Sequence, residues 1–274
     1  MGKILAVWSD TKKSGKSIVT YMLANKIMEE RKLKVLVCCL NLKYSSLYRL
    51  YRIEPSETGL EDMVNCKLYQ EKWEAFHEEM IPRYGEMYFL GTYRATNRYA
   101  QRNEEGFREL LQGLKEHFDL IIVDTVSGKE NTLTNLVLKK ADMVLKLFNQ
   151  DNESIRGIQQ VGEEHAPYQQ QMVYLLSKYR NIYPRATDLK RRFGLSKLFT
   201  LEYCETLQEM KNRDSLHLYL QRETACNKSV QKLTVSLLKD LDLAAEDSVV
   251  HNLVSHRLKE VERFFRKVGT AGSK

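Results

Sequence analysis

The sequence predicts an α/β fold of three layers, with helices on both faces of a mostly parallel sheet. Three observations carry this. Short apolar runs recur along the chain with helical patterns between them, which is the order of βαβ units. The runs are dense in aliphatic and β-branched residues without polar alternation, as strands buried on both faces require. The first run also passes through a polar loop into a helix opening on Gly15-Lys16-Ser17.

The elements follow in order. Ile4-Leu5-Ala6-Val7-Trp8 is the first strand, and Ser17 to Arg31 the first helix, with Ile18, Met22 and Ile27 near one face. Lys34 to Leu40 is a second buried strand, Met87 to Gly91 a third and Leu120 to Asp124 a fourth. Met143 to Phe148 and Gln171 to Leu176 read as two more. In Glu104 to His117, Phe107, Leu110, Leu111 and Leu114 recur at helical spacing. A chain of 274 residues, 43% hydrophobic, can bury a full core. No repeat, low-complexity tract or Pro/Gly/Ser linker interrupts it, so residues 1–250 are expected to form one domain.

Residues 251–274 are expected to form an amphipathic basic helix and a flexible tail. Val254, Leu258, Val261, Phe265 and Val268 share one helical face, while Arg257, Lys259, Arg263, Arg266 and Lys267 lie around the polar side. Such a face either packs on the domain or lies on an anionic membrane.

The remaining composition sets bounds. The excess of 43 basic over 36 acidic residues, +7, permits contact with nucleic acid or anionic lipid and demonstrates neither. Without an Arg-rich recognition helix, DNA binding is expected to be weak and steeply salt-dependent. Five cysteines form no CxxC pair, which argues against zinc or a disulfide framework; Cys38 and Cys39 lie in an apolar run and read as buried thiols. No signal peptide opens the chain and no apolar run approaches the roughly 20 residues of a spanning helix. A cytoplasmic location is expected, with the tail as a possible peripheral contact at the inner face of the membrane.

The loop before the first helix carries the chemistry. Gly15-Lys16-Ser17 matches the end of GxxxxGK[ST], in the strand–loop–helix context that motif needs. In such a P-loop, backbone N–H groups and a helix N-terminus wrap phosphate oxygens. Lys16 would reach the β- and γ-phosphates and the Ser17 hydroxyl would ligate Mg²⁺. The first glycine of the motif, however, is Asp10.

The motifs in their order resemble the MinD/ParA family of deviant-Walker ATPases. That family's KGGxGK[ST] loop corresponds to Thr11-Lys12-Lys13-Ser14-Gly15-Lys16-Ser17. "FDLIIVDTVSGKENTLTNLVLKKADMVLKL" (Phe118 to Leu147) is similar to its switch II region, with Asp124-Thr125 at the strand end. "FNQDNESIRG" (Phe148 to Gly157), "YLLSKYR" (Tyr174 to Arg180) and "LEYCETLQEMKNRDSL" (Leu201 to Leu216) resemble three later segments. Cys39 to Val64 resembles the CpaE/TadZ-like pilus-assembly branch, and the C-terminal helix resembles the membrane-targeting helix of MinD.

The resemblance implies a three-layer α/β/α P-loop NTPase fold with a mostly parallel central sheet. It implies ATP or ADP with Mg²⁺ held by Lys13, Ser14, Gly15, Lys16, Ser17 and Ile18, with Ser17 and Asp124 at the metal. Lys178 and Tyr179 would flank the base. A homodimer is implied, with protein partners in a pilus or secretion assembly and nucleotide state setting dimerisation and partner choice.

The departures bear on turnover. Asp10, Lys12 and Lys13 stand at glycine positions, where a residue at positive φ costs about 1 kcal/mol or more, and Asp10 is expected to face the triphosphate. The family's cross-dimer lysine falls at Thr11, which leaves Lys12, one residue on, as the candidate to supply its charge; Lys16, Asp124 and Lys12 are the candidate catalytic residues. The family's Asp-x-Asp after the second strand reads Cys39-Leu40-Asn41, without the water-orienting carboxylate. Tyr44 and Ser45 fall in the switch I position. At most a weak ATPase is expected. The rival readings are an active DNA-partitioning ATPase and a nucleotide-free interaction module.

Overall fold

The computed structural model describes residues 1–41, 45–53, 59–67, 81–84, 86–92, 95–164 and 171–244. Tyr44 and the helix expected from His251 lie outside the described residues.

Eight strands, among the described residues, form a single sheet: β1 (Lys3–Trp8), β2 (Val35–Cys39), β3 (Arg83–Tyr84), β4 (Met87–Gly91), β5 (Leu120–Asp124), β6 (Met143–Phe148), β7 (Gln171–Tyr179) and β8 (Leu198–Glu202). Their order is β3-β4-β2-β5-β1-β6-β7-β8, parallel throughout except for the antiparallel β3–β4 pair. Every residue of β2, β4, β5 and β6 is buried, which is why these strands read as unbroken apolar runs. The short β3 and the half-exposed β8 are additions to the expected set, as is the extension of β7 beyond Leu176. Two residues are too few to show a period, and an edge strand with one open face lacks the dense apolar signal.

The helices are α1 (Lys16–Glu30), α2 (Ser46–Tyr51), α3 (Leu60–Asn65), α4 (Asn97–Arg102), α5 (Glu104–His117), α6 (Thr132–Lys140), α7 (Asn152–Glu164), α8 (Ala186–Phe193), α9 (Glu205–Asn212), α10 (Leu216–Leu220) and α11 (Ala225–Asp240). Successive strand residues face opposite sides. Ile4, Ala6 and Trp8 of β1 join Leu36, Cys38, Ile121 and Val123 in one core, covered by Phe107, Leu110 and Leu114 of α5 and Leu133, Leu136 and Val137 of α6. α1 packs against β1, β2 and β5 and buries residues from Val19 to Ala24 together with Ile27. A smaller cluster of Phe148, Ile155, Ile158, Leu176, Leu189 and Leu195 lies towards the β8 side.

Residues 1–237 form one compact unit and 238–274 a second, of which 238–244 are described. Among the described residues no helix is long and apolar enough to cross a membrane.

The strand ends are level where the site lies. Val7 and Cys39 both stand in register with Asp124 at the end of β5, and Leu40 N donates to Asp124 O at 3.0 Å. A parallel sheet whose order reverses about β1 opens a crevice at the carboxyl ends of its strands. The sheet centre should therefore set global stability: Ile122→Ala, at a position with no exposure, should cost about 3 kcal/mol in urea unfolding, through lost burial and an unfilled cavity.

Candidate functional site

From Trp8 the chain turns through Ser9 to Ser14 and enters α1 at Gly15, whose φ of 94° and ψ of 11° put it in the left-handed region that glycine tolerates. No side chain caps α1, and its first turn holds no acidic residue. The first intrahelical bond runs from Val19 N to Gly15 O, so the amides before it point out of the helix start without intrahelical partners. An uncapped, acid-free N-terminus favours an anion. Ser14 Oγ, buried in the same loop, has no hydrogen-bond partner among the described residues.

The far half of the loop is held from β7. Ser177 Oγ donates to Ser14 O at 2.7 Å, with Asn149 Oδ1 at 2.9 Å, and Lys178 Nζ donates to Lys13 O at 2.7 Å. Of the three non-glycine residues at glycine positions, only Lys13 adopts a positive φ, of 59°. The strain expected at all three therefore falls on one, where Lys178 ties the carbonyl.

Lys16 Nζ hydrogen-bonds Ser127 Oγ, and Ser17 Oγ donates to Asp124 Oδ2 at 2.6 Å. Burial pulls the Lys16 ammonium below the usual lysine range, opposed by Asp124 and Cys39. Burial pushes the Asp124 carboxyl up to about 6, with the Ser17 hydroxyl and Lys16 opposing. These neighbours do not fully replace the water lost by the carboxylate. A hydroxyl and a carboxylate as adjacent hard oxygen donors fit Mg²⁺, and the unpaired amides, Ser14 Oγ and Lys16 fit phosphate. Bound there, the cation would neutralise phosphate charge. Ser17 and Asp124 would hold it, while Lys16 and the amides of α1 would bind and orient the anion.

The near half of the loop differs from expectation. Asp10 does not face the anion site: its Oδ2 pairs with Lys146 Nζ at 2.6 Å, and the Lys146 side chain has no exposure. Thr11 Oγ1 lies 3.1 Å from Ser154 Oγ. The Ser154 hydroxyl donates to Asp151 Oδ2 at 3.0 Å, so Thr11 is the donor in that contact. Lys12 is exposed at the surface.

A cavity of about 720 Å³ opens beside the loop, lined by Lys13 to Ile18 and Lys178, and on its other side by Arg49, Leu50, Gln208, Lys211, Asn212 and Asp214. Arg49 Nε and Nη2 donate to the two Asp214 carboxylate oxygens at 2.9 and 3.1 Å, and Arg52 Nε donates to Asp214 O at 3.0 Å. Gln208 to Asp214 and Arg49 both lie within segments that resemble the family, but neither segment showed that they would meet. Tyr179, expected beside the base, packs against the Phe148–Leu195 cluster, while Lys178 lines the cavity. Lys178 has a positive φ of 54°, and the register breaks between Leu176 and Tyr179. The Thr92 hydroxyl donates to Asn41 O at 2.9 Å, while Cys39 and Ser45 are buried.

Solved structures share this architecture. The ParA family ATPase of Chlorobium tepidum TLS superposes with a TM-score of 0.71 at 15% identity, over 86% of this chain and 98% of that one. The cell division ATPase MinD of Pyrococcus furiosus gives 0.71 at 18%, over 87% and 99%. The septum site-determining protein MinD of Pyrococcus horikoshii, complexed with Mg-ADP, gives 0.72 at 16%, over 90% and 100%. No protein-family model and no curated protein matches the chain. At these identities the likeness establishes the three-layer MinD/ParA-type P-loop fold.

The loop clamp gives a direct expectation. Ser177→Ala removes the donor to Ser14 O and leaves a buried acceptor short, so unfolding stability measured in urea should fall by about 1 kcal/mol.

Proposed function

We propose that this chain is a nucleotide-responsive positioning or scaffold protein that binds ATP or ADP with Mg²⁺ and turns it over slowly or not at all. The observation that carries the reading is the uncapped start of α1, with its left-handed Gly15 and the Ser17–Asp124 oxygen pair beneath it. The pairing of Asp10 with Lys146 supports it, because the carboxylate that would repel a phosphate is neutralised within the chain. The similar structure named as an Mg-ADP complex supports the same cofactors.

Slow turnover is argued from the groups that differ. Thr11 carries no charge and hydrogen-bonds within its own chain to Ser154. Asn41 cannot act as a carboxylate. A site that keeps ground-state contacts but lacks transition-state ones retains affinity while losing rate. Lys12 remains the candidate cation for a partner's phosphates in a homodimer. The likeness of Cys39 to Val64 to the CpaE/TadZ-like branch supports service in a pilus or secretion assembly.

Mg-ATP should raise the melting temperature by mass action, while phosphate release stays near background at every protein concentration. Lys16→Ala should abolish the thermal shift, and Asn41→Asp alone should restore little turnover. Robust turnover that Lys16→Ala and Lys12→Ala each remove would show an active ATPase instead. No shift at millimolar nucleotide would leave an interaction module.

The metal contribution should depend on pH. The Asp124 carboxyl is raised to about 6, so below that pH the folded protein holds a neutral acid that ligates a cation poorly. The sign for folding runs the other way: stability from protonated Asp124 is present below the unfolded value near 4 and is lost as pH rises through about 6. The extra thermal shift given by Mg²⁺ over nucleotide alone should therefore grow between pH 5 and pH 7 and level off above it.

A further inference from the structure

We propose that Lys146 is a positioning residue, the internal counter-ion that fixes the near half of the phosphate loop by holding Asp10 against α7. Its effect on a bound anion rests on the nucleotide reading above; its effect on the loop does not.

Three residues are each unusual where they stand. Asp10 takes a glycine position in a loop built for anions. Lys146 lies in the middle of β6, where all six residues are buried. Gly157 lies within the first turns of α7, where glycine weakens a helix. One contact accounts for all three. Lys146 Nζ pairs with Asp10 Oδ2 at 2.6 Å, donates to Gly157 O at 3.2 Å and lies 4.8 Å from the centroid of the Trp8 ring. A Cβ on Gly157 would stand 2.8 Å from Asp10 Oδ2, so a side chain there would push the carboxylate from its place.

A lysine with no exposed side chain is tolerated when its charge is paired and hydrogen-bonded. Burial lowers the Lys146 ammonium from the usual lysine range, Asp10 opposes that, and Lys129 adds to it. Tyr174 also faces Asp10, which joins burial in raising its phenol. Trp8 Nε1 donates to Gly128 O at 3.1 Å, which fixes the ring beneath the ammonium. With Thr11 bonded to Ser154 one residue on, Asp10 and Thr11 are both tied to groups on α7 or beside it. The loop is thereby shaped before any anion arrives, and the carboxylate is turned from the ligand.

The test is a double-mutant cycle on the full chain, read by melting temperature and by Mg-ATP and inorganic pyrophosphate affinity well below every variant's transition. Lys146→Met strands the Asp10 carboxylate, and Asp10→Gly strands the lysine. Asp10→Gly, which leaves an ammonium with no exposure, should lower the melting temperature by roughly 10 °C. Lys146→Met leaves a carboxylate a quarter exposed and should lower it by less, whereas Asp10→Gly with Lys146→Met should return to near the parent, because removing a pair together is far milder than breaking it. Affinity should fall about tenfold in Lys146→Met and recover in the double variant, which a purely structural role would not produce. Gly157→Ala should weaken the parent but be harmless in the Asp10→Gly background.

Additive losses in the double variant, or a Lys146→Met chain as stable as the parent, would overturn the proposal. Should Lys146→Met yield no soluble protein, a soluble double variant supports the pairing and an insoluble one overturns it. If no variant, including the parent, binds either anion, the nucleotide reading fails, while the melting cycle still decides the pairing.

Discussion

A helix that starts at the carboxyl edge of a buried parallel sheet presents amides that its own backbone cannot satisfy, and the site of this protein depends on that constraint. The strand ends of β1, β2 and β5 are level at Asp124, so α1 can begin only in the crevice above them. Gly15 supplies the left-handed turn, and neither a capping side chain nor an acidic first turn intervenes. Every other feature of the site orients this start. Ser177 and Lys178 hold the loop carbonyls from β7, Asp10 and Thr11 are tied towards α7, and Lys16 and Ser17 stand over Asp124.

Two carboxylate–ammonium arrangements meet in this loop, and their contrast is informative. Asp10 and Lys146 form a closed pair 2.6 Å apart, with the lysine fully buried and hydrogen-bonded. Asp124 has Ser17 and Lys16 as neighbours but remains short of compensation, since burial outweighs both in raising its carboxyl. A satisfied pair stabilises a shape, whereas an undercompensated carboxylate beside a hydroxyl keeps a free energy that a cation can release. The division separates a near half of the loop closed by its own ion pair from a far half whose polar groups are left open. It also explains how a phosphate loop can carry aspartate where glycine is expected.

The mouth of the cavity is built differently. Arg49 and Asp214 meet across a sequence separation of 165 residues, but both are substantially exposed. Exposed pairs contribute little to stability. Their consequence is geometric: they join α2 to the turn after α9 at the cavity's edge.

The sequence by itself determined the parts governed by local rules. Aliphatic runs without alternation marked six strands, because a strand buried on both faces has no polar side to show. Gly15-Lys16-Ser17 and Asp124 marked the candidate site, because a helix start and a strand end are positions that sequence pattern alone reveals. Tertiary structure decided whatever depends on which elements become neighbours. Tyr179 follows Lys178 directly, yet one packs on an apolar cluster and the other lines the cavity, at the point where β7 breaks register. Asp10 read as a charge facing the ligand, because nothing local shows that β6 lies beside β1 with Lys146 opposite Trp8. The lysine inside an apolar strand was itself a visible signal: a buried charge requires a partner. Its identity was fixed only when the sheet brought β6 beneath the loop, since pairing energies depend on distance in space and not along the chain.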